Sequence, residues 1–273
     1  MRGGRYKPDW LFLPFSVMAW LILICLIAPM LVVFPVSVTP NSWVSLPRNG
    51  ISFIHYIQVF SSPAWLDAIG QSLLIATLTM LCATILGTAA AIGTWRLANH
   101  WLIGGIRIVI LLPLIVPTVV SGLGMYRVWI NFGLFDTLPG TIIAHTILAT
   151  PFAFLTVSAS LRQVDHRLEQ ASRTLGAGVL HTAWFILVPA AQSGVLAGAV
   201  FAFITSWDEI VVTMFVTQRH VFTLPRMIFQ DIHDNLSPSI AVVSSLMILI
   251  TFLITLFILL RGSRRDPRME EVS

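Results

Sequence analysis

The chain has 273 residues, of which 56% are hydrophobic and only 10% charged, and a soluble domain has no interior large enough to hide that much apolar side chain. Mean hydropathy is +0.87. The formal charge of +4 is dispersed along the chain, which excludes a concentrated nucleic-acid-binding patch. A bilayer core about 30 Å thick needs about 20 apolar residues in a helix. Runs of that kind occur at 11–36, 69–95, 105–130, 138–160, 183–206 and 240–260. They predict an all-α integral membrane protein with six transmembrane helices, a single domain over 1–273 that leaves no room for a soluble domain of ordinary size.

In chain order, the basic start (Arg2, Arg5, Lys7) fits a secretory signal, but the apolar run after Trp10 is too long for a signal core and no small-residue cleavage site stands out. It reads as a retained first span. The segment from Thr39 to Ala68, with Trp43, Phe53, Tyr56, Phe60 and Trp65, is rich in the aromatic residues that favour a membrane–water boundary. The second run is crowded with Ala83, Gly87, Ala89, Ala90, Ala91 and Gly93, small residues that let helices approach closely. The third contains Pro113 and Pro117, each expected to bend a helix because proline lacks a backbone donor. Cys25 and Cys82 fall in different spans with no metal-ligand spacing, so no metal site is expected and both read as small buried hydrophobes. His145 is intramembrane, either lining a cavity or packed and hydrogen-bonded.

Charge asymmetry gives an orientation. With the N-terminus inside, the cytoplasmic side receives Arg2, Arg5, Lys7, Arg96, Arg107, Arg162, Arg167, Arg173, Arg261, Arg264, Arg265 and Arg268. Only Arg48, Arg127, Arg219 and Arg226 are left outside, the bias that positive-inside insertion produces. Both termini are then cytoplasmic.

Between the fourth and fifth runs, Leu161, Val164, Leu168, Ala171 and Leu175 recur at spacings of three and four, one apolar face of a helix. Gly176-Ala177-Gly178 interrupts it, and Val179, Leu180, Ala183, Trp184 and Leu187 begin a second amphipathic stretch running into the fifth span. The expected result is a helix–turn–helix elbow. The fifth run carries Gly194 and Gly198 at the four-residue spacing used in close helix crossings, by itself a weak signal.

Asp208 and Glu209 lie between the apolar runs 183–206 and 210–216. One straight helix through both would extend about 50 Å, well past the hydrocarbon core, so the chain must bend or break there. A carboxylate facing lipid costs about 2.5–3.5 kcal/mol, so the pair should face protein or water. Two roles stay open: an acid-lined path for a cation, with Trp207 adding a cation–π contact, or a structural pair that caps a helix or meets Arg226 or Arg127.

The stretch Gln170 to Pro189, QASRTLGAGVLHTAWFILVP, resembles the cytoplasmic coupling loop of permease subunits in binding-protein-dependent ABC importers. That family's loop reads Glu-Ala-Ala, with Gly seventh, Ile seventeenth and Leu-Pro last. Ala171, Gly176, Ile186 and Pro189 match, while Gln170 (beside Glu169), Ser172 and Val188 depart. Phe53-Ile54-His55-Tyr56, Ser72-Leu73-Leu74-Ile75-Ala76, Pro113-Leu114-Ile115-Val116-Pro117, Ser206-Trp207-Asp208-Glu209, Thr223-Leu224-Pro225 and Ser237-Pro238 look like the polyamine (spermidine and putrescine) branch. Ser239 departs from it, since an acidic residue often follows that last proline.

The resemblance implies the type I importer permease fold, with a coupling loop at 161–182 that meets an ATPase through Glu169, Gln170, Ala171, Arg173, Gly176 and Pro189. It implies a multi-pass protein of the bacterial inner membrane moving a polyamine or related cationic amino compound inward, an opine being the alternative solute. The implied partners are ABC ATPase subunits, a second, different permease chain and an external solute-binding protein. The chain is then a transport subunit and no enzyme. Its one lysine, Lys7, rules out a phosphate-binding loop, so ATP and Mg belong to the partner ATPase. A secondary transporter or channel is the rival class; it is disfavoured by the near absence of titratable residues in the spans and of any visible internal repeat.

Overall fold

The computed structural model describes residues 12–97, 100–234 and 236–262. The described residues form helices and connecting loops, with no strand among them. In order these are α1 (Phe12–Ser37), α2 (Ile54–Ser61), α3 (Pro63–Arg96), α4 (His100–Ile115), α5 (Thr118–Phe132), α6 (Leu138–Leu161), α7 (His166–Thr174) and α8 (Val179–Thr182). A π turn (Ala183–Leu187) joins α8 to α9 (Val188–Ala190), and α10 (Gln192–Trp207), α11 (Val211–Val216), α12 (Leu224–Asp234) and α13 (Ser239–Gly262) complete the chain. Arg2, Arg5, Lys7, Arg264, Arg265 and Arg268 lie outside the described residues.

Three helices are long and apolar enough to cross a bilayer unbroken: Pro14–Ser37, Pro63–Arg96 and Leu138–Leu161. The backbone of α13 runs for 24 residues, apolar through Leu253 as far as its side chains are described. The third and fifth expected spans are broken, not merely bent. Trp101–Ile115 and Thr118–Phe132 meet at 105°. Pro113 is absorbed inside α4, and the break falls at Val116 and Pro117, because proline excludes the residue before it from helical geometry. Val179–Ala190 meets Gln192–Trp207 at 81°. Pro189 takes a donor from that run and its ring crowds the carbonyl four residues back, and the π turn directly upstream relieves the crowding. The second span starts earlier than expected, at Pro63, so Trp65 belongs to it and is buried.

The described residues form two compact units, one of those up to Pro63 with those from Gln230 onward, the other of those within Ala64–Phe229. In the first, α1 packs on α13, and Tyr56 of α2 reaches Ser37 of α1 (2.9 Å) and Ser245 of α13 (3.1 Å) through its hydroxyl. In the second, α3, α6 and α10 meet through small residues. A Cβ on Gly87 would fall 2.6 Å from that of Ala153, one on Gly194 2.5 Å from the Thr156 carbonyl oxygen, and one on Gly198 2.9 Å from Ala153 Cα. These three glycines are therefore contact points of the helices, as the small-residue crowding predicted. Cys25 and Cys82 correct the expectation of burial: both are exposed on the surface of the chain.

Candidate functional site

The elbow forms where the spacing places it. Asp165 accepts the Arg167 amide at 2.9 Å and caps α7. The helix ends at Thr174 with Leu175 as its C-cap, and Gly176 takes φ +83, a left-handed conformation that costs a residue with a Cβ about 1–2 kcal/mol. The reversed chain returns along α8. Ser172 and Thr182, both buried, join the two arms through their hydroxyls at 2.8 Å.

The two arms are also tied to the end of α3. Arg96 pairs with Glu169 (Nη2 to Oε1, 2.5 Å) and donates from Nη1 to the Val179 carbonyl at 3.4 Å. Trp95 stacks on His166 with ring centres 4.0 Å apart. Glu169 is thereby turned inward, its side chain only 12% exposed, while Gln170, Ala171 and Arg173 stay exposed, with Arg173 Nε 3.6 Å from the same carboxylate. Pro189 is exposed on the run that leaves the elbow. At the tip, Leu175 is 88% exposed and Leu180 84%. Leu175 flanks an open depression of about 500 Å³ lined also by Ser172, Gly176 and His181. Two apolar side chains held out of the protein by a rigid turn make a surface that fits another protein better than it fits water.

The acid pair divides. Glu209 accepts the Val212 amide at 2.8 Å and so caps α11, and its carbonyl accepts the Thr213 hydroxyl. Asp208 closes α10, is exposed, and has no side-chain hydrogen bond or ion pair among the described residues. Trp207 stacks on Phe203 at 5.8 Å. Neither acid meets Arg127 or Arg226. His145 spans the break from α6: Nδ1 lies 2.8 Å from the Ser206 hydroxyl on one side and Nε2 lies 2.9 Å from the Thr213 hydroxyl on the other. It is fully buried, so the packed, hydrogen-bonded alternative holds.

The acid that organises this end of the unit is Asp136, which the sequence reading passed over. Its carboxylate accepts the backbone N–H groups of Gln218 (2.7 Å), Arg219 (2.9 Å), His220 (3.0 Å) and Val221 (3.2 Å). Burial works against its ionisation, but the four amides prevail and lower its pKa from 3.8 to about 2. Asp136 itself sits at φ +56. Arg226 closes the loop from the far side, bonding the Thr217 hydroxyl and, at 2.9 Å, the Gln218 carbonyl. Two of the sequence motifs meet here, since Ser72 accepts the Leu224 amide at 2.7 Å and adjacent Gln71 the Phe222 amide at 2.9 Å. A lone Asp before the Thr137-Leu138-Pro139 helix start was the only signal of this lock.

The profile of the family described as "Binding-protein-dependent transport system inner membrane component" matches residues 83–270. The chain is 29% identical over 248 residues to the putrescine transport system permease protein PotI of Escherichia coli (strain K12), covering 86% of this chain and 88% of that protein. It is 28% identical over 224 residues to the trehalose transport system permease protein SugB of Mycobacterium tuberculosis, covering 79% and 77%. It is 24% identical over 208 residues to the spermidine/putrescine transport system permease protein PotC of Haemophilus influenzae, covering 76% and 80%. Among solved structures, a chain of a bacterial ABC transporter involved in the import of the acidic polysaccharide alginate superposes with TM-score 0.72 at 15% identity, covering 94% of this chain and 98% of that one. An amino acid ABC transporter chain superposes with TM-score 0.56 at 17% identity, covering 76% and 98%. With the fold, the elbow and the profile in agreement, the chain belongs to the binding-protein-dependent transport system inner membrane components: it is a permease subunit of an ABC importer.

Proposed function

We propose that this permease carries polyamines or closely related cationic amino compounds into a bacterial cytoplasm, working as one domain with both termini inside. The elbow at 161–182 docks on an ATPase subunit that binds ATP and Mg. A second, different permease chain completes the path, and an external solute-binding protein delivers the solute. The observation that carries the docking is the tip itself: Gln170, Leu175, Gly176 and Leu180 stand exposed on a turn fixed by a buried hydrogen bond and an ion pair. The relatives named for putrescine and spermidine transport support a cationic solute. Asp208 supports it physically, because an exposed carboxylate beside Trp207 at a helix break attracts a cation by charge and by the aromatic face. Glu209 acts as the cap of α11.

A neutral sugar is the second reading, favoured by the likeness to a trehalose permease. Competition between labelled putrescine and unlabelled trehalose or opine for uptake by cells expressing the whole importer separates the solutes. For docking, affinity-purified wild-type chain is expected to retain the ATPase, and Leu175→Asp with Leu180→Asp is expected to lose it. Retention unchanged by that double substitution overturns the docking.

A further inference from the structure

We propose that Arg96 is the positioning residue that keys the elbow to α3, so that displacement of the elbow is delivered to that long helix. The inference rests on the docking reading above. By chain connection the elbow belongs to α6 on one side and to α10 on the other; α3 ends seventy residues before α7 begins and reaches the elbow only through side chains. Arg96 touches both arms across Gly176: Glu169 in α7 and the Val179 carbonyl at the start of α8. A guanidinium makes both contacts at once because its N–H donors point in fixed, divergent directions, which an ammonium group lacks. Side-chain exposures of 14% for Arg96 and 12% for Glu169 shield the pair from the screening that weakens surface ion pairs. Trp95, one residue earlier, adds its stack on His166 at the first residue of α7. With Ser172 and Thr182 holding the arms together, the end of α3 and the elbow form one piece.

The test measures the distance between spin labels on α3 (Leu81→Cys) and on the elbow (Arg167→Cys), with Cys25→Ser and Cys82→Ser, in the whole importer reconstituted in lipid. Wild type is expected to give a narrow distribution with and without ATP and Mg. Arg96→Ala is expected to broaden it at least about twofold. Arg96→Lys, which replaces one of the two contacts, falls between. Arg96→Glu broadens it, and adding Glu169→Arg narrows it again. All distances are read on importer purified through its ATPase, so only assembled complexes are compared. An Arg96→Ala distribution as narrow as wild type, or a charge swap no better than Arg96→Glu alone, overturns the proposal. Failure of the docking reading shows separately, as ATPase retention that ignores the Leu175 and Leu180 substitutions.

Discussion

The hydroxyls of Ser172 and Thr182, ten residues apart in sequence, lie 2.8 Å apart in the buried angle of the elbow. That contact forms only if Gly176 turns the chain through its left-handed conformation. Nothing lies within 4 Å of the position a Cβ on Gly176 would take, so a substitution there is resisted by the backbone alone. Gly176→Val is expected to cost about 1–2 kcal/mol of turn stability, leaving membrane insertion intact while uptake falls at least tenfold. Uptake and membrane level measured side by side check this. Normal uptake at normal level removes the turn from the mechanism.

Asp208 and Glu209 are expected to part company. Asp208→Asn should lower uptake of a cationic solute with no change in assembled importer, because Asp208 supports no other group among the described residues. Glu209→Ala should instead lower the yield of importer, since loss of a helix cap costs about 1 kcal/mol. Glu209→Gln keeps an acceptor oxygen and should be milder. The reverse pattern, with Glu209→Gln abolishing uptake at full yield, assigns the cation to Glu209.

His145→Ala should destabilise the importer by about 2–4 kcal/mol, through a cavity and the stranded Ser206 hydroxyl in the core, while the Thr213 hydroxyl keeps its bond to the Glu209 carbonyl. Its detergent melting temperature checks this, and an unchanged value contradicts the clamp between Ser206 and Thr213.

For Asp136 the sign follows from its lowered pKa. The folded group holds its proton less tightly than the unfolded one, so its stabilising effect is complete above pH 3.8 and is lost as pH falls towards about 2. Asp136→Asn keeps one acceptor oxygen but no charge for four amides, and should lower stability at neutral pH while flattening the acid limb between those values. Stability against pH for both proteins is the measurement. Identical acid limbs would show that the four amides do not depend on the carboxylate charge.

The elbow was legible because two local rules agree there, an apolar spacing of three and four and a glycine at the turn. The small-residue crossings were legible from Gly87, Gly194 and Gly198, since residues without bulk mark backbone contact. The break at Pro117 was legible as a bend, yet its size was not, because a proline fixes where a helix stops and packing fixes where the next one points. The break at Ala191 left little trace, as Pro189 and a π turn act together and only the proline is visible in sequence. Asp136 was missed for a different reason. Its partners are backbone amides more than 80 residues away, and backbone amides have no sequence signature. The exposure of Cys82 was misjudged because a span in a bilayer has two apolar surroundings, protein and lipid, and composition does not separate them.

The most direct test is uptake of labelled putrescine into proteoliposomes containing this chain with its partner permease, ATPase subunits and solute-binding protein. Accumulation that requires ATP, requires the binding protein and stops with Gly176→Val is the predicted result. Accumulation by this chain without the ATPase, driven by an ion gradient, contradicts the account.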